Sequence, residues 1–302
     1  MLVVIYDSCI YFTEQNNSCV SDYHNYILDM LKEILSVNLF RVNIVLGNER
    51  VSFNNSNKVL RIKINYEHTL VKKNGRDSQN APVGNTKCDE TENYLVRIDN
   101  YQFLNDSDIV IDYSLPNIHN VTTYQLFESF SKKMLYIFPA LYSSNSSHYK
   151  KREINVLTTF LDVSQPRRKK LIETMHEDNI SHTNINNCFD KEFLQKLYEK
   201  TKILINIHQT DHHHTLEELR VLPALQCGVI VICENSPLND LVPYNDYIIW
   251  SSYEGMIDKI KDVTENYASY YAEIFEKKKN ISLSDLHRQN YATLEKKLFS
   301  TI

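Results

Sequence analysis

Glu217 and Arg220 are the side chains with the most chemistry to offer. They stand three residues apart in Thr215-Leu216-Glu217-Glu218-Leu219-Arg220, after the apolar run Ile203–Ile207, His208 and a histidine-rich turn. If that run is a strand of an open α/β sheet and a helix opens near Thr215, the pair lies beyond the strand's carboxyl end, where such sheets bind ligands. A helix start offers unpaired N–H groups and the positive end of a dipole. Arg220, one turn in, can fork onto a diphosphate, and the Glu217 carboxylate matches the two hydroxyls of a ribose. Glu234-Asn235-Ser236 follows the next apolar run at the same expected edge. An anion beside a diol is what a sugar nucleotide presents. The competing reading is a solvated surface pair worth roughly a few tenths of a kcal/mol.

Other phosphate and nucleophile devices are missing. The five glycines, at 47, 75, 84, 228 and 255, are too scattered for a dinucleotide turn or a Walker loop. No GxSxG elbow occurs. Phosphate must therefore be held by side chains and helix ends. The run His212-His213-His214 lacks the spaced pattern of a zinc site, so a solvated loop tip is expected there, with no metal. At most one of these histidines, or His208, is expected to touch a phosphate.

Two α/β halves must position these residues. The first alternates strand-like runs (Leu2–Tyr6, Arg41–Leu46, Lys58–Asn65, Asp108–Asp112, Met134–Phe138) with helical patterns over Asp22–Leu35 and Asn117–Phe130. Residues 72–93 read as a long polar loop. The Ser/Asn/Lys-rich stretch Tyr142–Lys151 predicts a domain boundary, giving domains 1–148 and 149–302. In the second half, strands at Ile154–Leu157, Ile180–Ile185, Lys202–His208, Val229–Cys233 and Tyr247–Trp250 alternate with helices. Pro166 opens one helix, Asp190 caps another, and Gly228 follows a third. The expectation is two Rossmann-like α/β domains facing across a cleft, with the helical tail returning to the first.

At 302 residues, 42% hydrophobic and 24% charged, the chain suits two folded domains, and a net charge of -5 argues against a nucleic-acid protein. Six cysteines without paired spacing point to buried thiols in a reducing compartment. The short opening apolar run lacks the basic flank of a signal peptide, and no stretch reaches membrane-span length. A cytoplasmic protein is expected.

Asn206-Ile207-His208, Leu216-Glu217-x-x-Arg220, Ala224-Leu225-x-x-Gly228 and Val231-Ile232-Cys233-Glu234 resemble the donor-binding domain of GT-B glycosyltransferases. The closest likeness is to compact enzymes of large DNA viruses of algae and amoebae, with a fainter one to exostosin-type transferases. Glu67-His68-Thr69-Leu70-Val71, Asp108–Tyr113 and Pro166-Arg167-Arg168 match the viral group too, so the resemblance spans most of the chain in order. It implies metal-independent, cofactor-free transfer of a sugar from a nucleotide donor to a glycan or glycoprotein hydroxyl in the interdomain cleft. Host cytoplasm would be the location if the chain is viral. Donor-site candidates become Asn206, His208, Glu217, Arg220, Glu234, Asn235 and Ser236, with Thr158, Thr159 and Arg167 at the first strand-to-helix turn. One position departs: a glutamate five residues before the glycine, a ribose ligand in many relatives, is Pro223 here.

An inverting mechanism needs a base from the first domain. Glu67 and His68 are the leading choices, with Asp7 and Asp112 in reserve; a retaining mechanism would need none. A uridine diphosphate sugar is the expected donor, with xylose preferred because glycans of the suggested viral group contain pentoses; the residues leave hexosyl or pentosyl transfer open. The alternatives are a non-catalytic carbohydrate-binding or assembly protein of the same fold, suggested by Pro223, and a metal hydrolase built on the histidine run.

Overall fold

The computed structural model describes residues 1–13, 18–72, 94–98, 101–143, 151–160, 166–186, 188, 190–210 and 212–302. Of the expected polar loop 72–93 only Lys72 is described, in a strand; the rest of that loop and the 148/149 boundary lie outside the described residues.

The first half contains β1 (Leu2–Ile5), β2 (Ser8–Phe12), α1 (Ser18–Asn38), β3 (Val42–Leu46), β4 (Lys58–Asn65), β5 (Leu70–Lys72), β6 (Tyr94–Val96), α2 (Tyr101–Asn105), β7 (Ile109–Asp112), α3 (Leu115–Thr122), α4 (Glu128–Ser131) and β8 (Met134–Tyr136). Its sheet runs β1-β2-β3-β4-β7-β8 and is parallel apart from β1. Every residue of β3 and β7 is buried, as expected of parallel strands covered on both faces.

Three local expectations change. The opening apolar run is an antiparallel edge strand rather than a buried one: Leu2 is 54% and Val4 65% exposed, and the chain turns back through Tyr6 at φ 51. A short apolar run does not reveal whether its outer edge is paired. The helix expected over Asn117–Phe130 starts earlier, capped by Ser114, and stops at Thr122. There the hydroxyls of Thr122 and Thr123 both donate to the His119 carbonyl, competing with continued helix. Strands β5 and β6 form a separate antiparallel hairpin, too short for periodicity to reveal.

The second half contains β9 (Ile154–Thr158), α5 (Pro166–Glu177), β10 (His182–Asn184), α6 (Lys191–Glu199), β11 (Thr201–Asn206), α7 (Glu218–Gln226), β12 (Ile230–Glu234) and β13 (Ile248–Ser251). These five strands form an all-parallel sheet ordered β10-β9-β11-β12-β13. Pro166 opens α5 and Asp190 accepts from Phe193 N at 2.7 Å. Gly228 follows α7 at φ 71, a conformation glycine adopts without Cβ strain.

Helices α8 (Met256–Glu265), α9 (Tyr267–Tyr271) and α10 (Leu286–Thr301) complete the chain. As expected, α10 returns to the first half. Asn290 accepts from Phe138 N at 2.8 Å and donates to Phe138 O and Tyr26 Oη, and Asn38 donates to Glu295. One continuous apolar core runs through both sheets. No helix among the described residues is long and apolar enough to cross a membrane.

Candidate functional site

The carboxyl ends of β9, β11 and β12 bring two carboxylates and three guanidinium groups together. Arg167, in the first turn of α5, donates through Nη2 to Glu234 Oε1 at 2.6 Å and through Nη1 to Oε2 at 3.1 Å. Its guanidinium lies 4.3 Å from the Tyr253 ring centroid, and Tyr253 Oη donates to its carbonyl. Glu234 Oε2 also accepts from His208 N at 2.9 Å, which ties the ends of β11 and β12 together.

Arg168 points the other way, into the protein. It is 4% exposed, its guanidinium lies 4.6 Å from the Phe160 ring centroid, and Nη2 donates to Glu217 Oε1 at 2.6 Å and Ile207 O at 3.2 Å. Burial, then the charge of Arg167, lowers its pKa to about 10, so it stays cationic at neutral pH. Arg220 meets the other oxygen of Glu217 and donates to Asn206 Oδ1 at 3.3 Å. The Glu217 and Arg220 side chains are only 15% and 24% exposed, which removes the solvated-pair reading.

The helix start differs from expectation. α7 begins at Glu218, and Glu217 is its N-cap without a side-chain capping bond, because the arginines hold its carboxylate. Thr215 lies outside the helix, its hydroxyl engaged with the first half: Oγ1 accepts from Leu70 N at 3.1 Å and donates to Asn117 Oδ1 at 3.2 Å.

The histidine run is not a solvated tip. His212 is 2% exposed, and the run lies along β5: Lys72 N donates to His212 O, His214 N to Leu70 O, and Val71 bridges His213. Edge strand β5 has free backbone groups, and this segment satisfies them. The rings pack on one another, with His212–His213 centroids 4.0 Å apart and His208–His214 5.2 Å apart. No group of three or more His, Cys, Asp or Glu among the described residues is arranged to hold a metal ion.

From the first half, Glu67 and His68 reach this junction. His68 lies 5.5 Å, ring to ring, from His213, and Arg97 contacts both Glu67 (4.0 Å) and His213 Nε2 (2.9 Å). Burial chiefly, then His208, Arg97, Arg168 and Arg220, lowers the His68 pKa to about 4, which leaves a neutral imidazole. Its Nδ1 is buried without a hydrogen-bond partner among the described residues.

Asp112 and Asp7 do not belong to this group. Asp112 is fully buried and accepts from Asn65 Nδ2, Ser114 N and Asn117 Nδ2, so it braces the end of β7 instead of facing an acceptor. Asp7 precedes β2 at the amino edge of the parallel sheet, exposed beside Arg41. The Asp106-Ser107-Asp108 triplet is also at that edge, where Asp108 accepts from Arg61 N. Thr158 is turned into the sheet, bonded to His182 and Asn184. Thr159 Oγ1 and Ser236 Oγ are buried without partners among the described residues, and Asn235 contributes its carbonyl to His208 Nε2.

Arg168, Tyr253, Arg97 and Asn117 are the components that residue pattern did not single out. Arg168 was visible only as the third residue of the Pro166-Arg167-Arg168 match, with no role given to it, and Tyr253 only as a residue just beyond a strand end.

No protein-family model matches the chain. An uncharacterized protein of Acanthamoeba polyphaga mimivirus is 24% identical over 221 residues, covering 68% of this chain and 74% of that protein. Among solved structures, Anabaena HepE in complex with UDP and glucose aligns with TM-score 0.47 and 9% identity, over 96% of this chain and 84% of that one. Sucrose-phosphate synthase of Thermosynechococcus elongatus aligns with TM-score 0.46 and 10% identity, over 90% and 79%. A glycosyltransferase of Rickettsia africae aligns with TM-score 0.41 and 12% identity, over 95% and 84%.

Proposed function

We propose that the chain is a glycosyltransferase that moves a sugar from a nucleotide-sugar donor to a glycan hydroxyl. The observation that carries this reading is the convergence of Arg167, Arg168 and Arg220 with Glu217 and Glu234 at the carboxyl edge of a parallel sheet, beside His68 and Glu67 of the other half. Three guanidiniums against two carboxylates leave positive charge for a diphosphate. A preorganised cation near a departing diphosphate stabilises charge where the transition state develops it. Arg167 and Arg220 would take the phosphates, Glu217 the ribose, and Glu67 or His68 the acceptor proton, without a metal or cofactor. The motif resemblance supports the same assignment.

A uridine diphosphate sugar is the first donor to try, with xylose ahead of glucose on the likeness to viral enzymes. The test is a thermal-shift screen of uridine and guanosine diphosphates. A rise in Tm that Arg220→Ala abolishes is expected, followed by release of free sugar from the matching donor. No shift with either nucleotide refutes the reading.

Pro223 favours one alternative, a carbohydrate-binding protein without turnover. It lies within α7, where a proline removes one backbone donor, at the position where the resemblance implies a ribose-binding glutamate. Glycan binding with neither transfer nor donor hydrolysis would select that alternative.

A further inference from the structure

We propose that Arg168 is a positioning residue that holds the Glu217 carboxylate ready for a ribose diol, so that the site discriminates ribonucleotides from their dideoxy counterparts. The inference rests on the donor-site reading above and assigns a specific role to a residue that reading counts only as one of three cations.

Glu217 occupies the N-cap of α7, where a carboxylate ordinarily folds back onto the first free N–H groups of the helix. It makes no such bond. Instead Oε1 is held at 2.6 Å by Arg168, whose own position is over-determined by the Phe160 ring and the Ile207 carbonyl. Oε2 faces Arg220. The two arginines differ in exposure: the Arg168 side chain is 5% exposed and that of Arg220 24%. Of the two, Arg220 is the one placed to turn toward an incoming anion, and its bond to Asn206, at 3.3 Å, is long.

A division of labour follows. When a diphosphate draws Arg220 away, Oε2 loses its cation and becomes free to accept from ribose hydroxyls. Arg168 keeps Oε1, and with it the charge and orientation of the carboxylate. Without Arg168, Glu217 would be free to follow Arg220 or to swing back onto the α7 N–H groups, and the diol would lose its acceptor. Because Pro223 has no carboxylate to offer, no second acid on α7 compensates at that position.

The experiment measures dissociation constants of uridine diphosphate and its 2′,3′-dideoxy form, with the guanosine pair in parallel. Wild type, Arg168→Met, Arg168→Lys and Glu217→Gln are compared, with circular dichroism and Tm recorded for each. Wild type is expected to prefer the ribonucleotide by about tenfold or more, since the dideoxy ligand leaves a polar acceptor unpaired. Arg168→Met should reduce the preference to about twofold or less; because it also removes one of the three cations it should weaken both ligands, so the ratio of the two constants, not either constant alone, is the readout. Arg168→Lys, which keeps the charge but loses the planar guanidinium held by Phe160 and the Ile207 carbonyl, should fall between. A folded Arg168→Met that keeps the wild-type preference overturns the proposal. If that variant does not fold, full retention by Arg168→Lys overturns it. Nucleotide binding without ribose preference in wild type also overturns it, yet leaves the transferase reading standing; absence of any nucleotide binding removes both.

Discussion

Arg167 and Glu234 form a two-bond fork, at 2.6 and 3.1 Å, between the first turn of α5 and the last residue of β12. Residues separated by 67 positions thereby close one side of the candidate site, with Tyr253 beneath the guanidinium. The side chains are 22% and 12% exposed, so solvent screens part of the attraction. Arg167→Ala should lower stability by about 2 kcal/mol, mostly by stranding Glu234. The double variant Arg167→Ala/Glu234→Ala should lose at least about 1 kcal/mol less than the two single losses added together. Urea denaturation of the four proteins checks this; strict additivity would deny the fork a role in stability.

Asn117 joins three segments from full burial. Its Oδ1 accepts from Thr69 Oγ1 at 2.8 Å, Thr69 N at 3.2 Å and Thr215 Oγ1 at 3.2 Å, while Nδ2 donates to Glu67 O at 3.1 Å. Asn117→Ala strands those groups and should cost about 3 kcal/mol. Because Glu67 and His68 hang from this hub, the variant should also lose transfer activity beyond its loss of folded protein. Unchanged kcat in the folded fraction would contradict that link.

Glu218 and Asp112 make stability depend on pH. Burial raises the pKa of Glu218 to about 8 and that of Asp112 to about 7, from ordinary values of 4.5 and 3.8. Folded-state values above unfolded ones mean that the contribution is fully present at acid pH, below the unfolded pKa. It is lost as pH rises through the folded values, at up to about 1.4 kcal/mol per unit for each group. His68, with its pKa lowered to about 4 chiefly by burial, works oppositely, losing stability as pH falls below its ordinary 6.5. The difference between wild type and Glu218→Gln isolates the acid: the variant should gain on wild type steadily between pH 5 and pH 8. A pH-independent difference would contradict this assignment. Tyr244 Oη, which donates to Glu218 at 2.5 Å, retains an acceptor in the glutamine.

His68 and Glu67 can be separated kinetically. If His68 takes the acceptor proton, His68→Gln should lower kcat by about 10²-fold or more with little change in donor KM. With its pKa near 4, no rate loss from His68 protonation should appear between pH 6 and 8. If Glu67→Gln shows the large kcat loss and His68→Gln does not, the carboxylate is the base.

Much of the architecture was legible because strands and helices are written in local patterns. Alternating strand-like and amphipathic runs foretold both parallel sheets, and Pro166 and Gly228 marked element ends by conformational preference and Asp190 by its capping carboxylate. The rule that ligands gather at strand carboxyl ends placed Glu217, Arg220 and Glu234 on one edge. Tertiary structure decided everything that depends on a distant partner. Whether β1 is buried depends on a neighbour that its own residues do not specify. Whether the histidine run is solvated depends on β5, reached through contacts such as Leu70–Thr215 across 145 residues. Which of two adjacent arginines pairs with Glu234 at the sheet's carboxyl edge and which is buried depends on how α5 is seated against Phe160 and Tyr253. Spacing specifies the face of an element, whereas burial and pairing are properties of the packed whole.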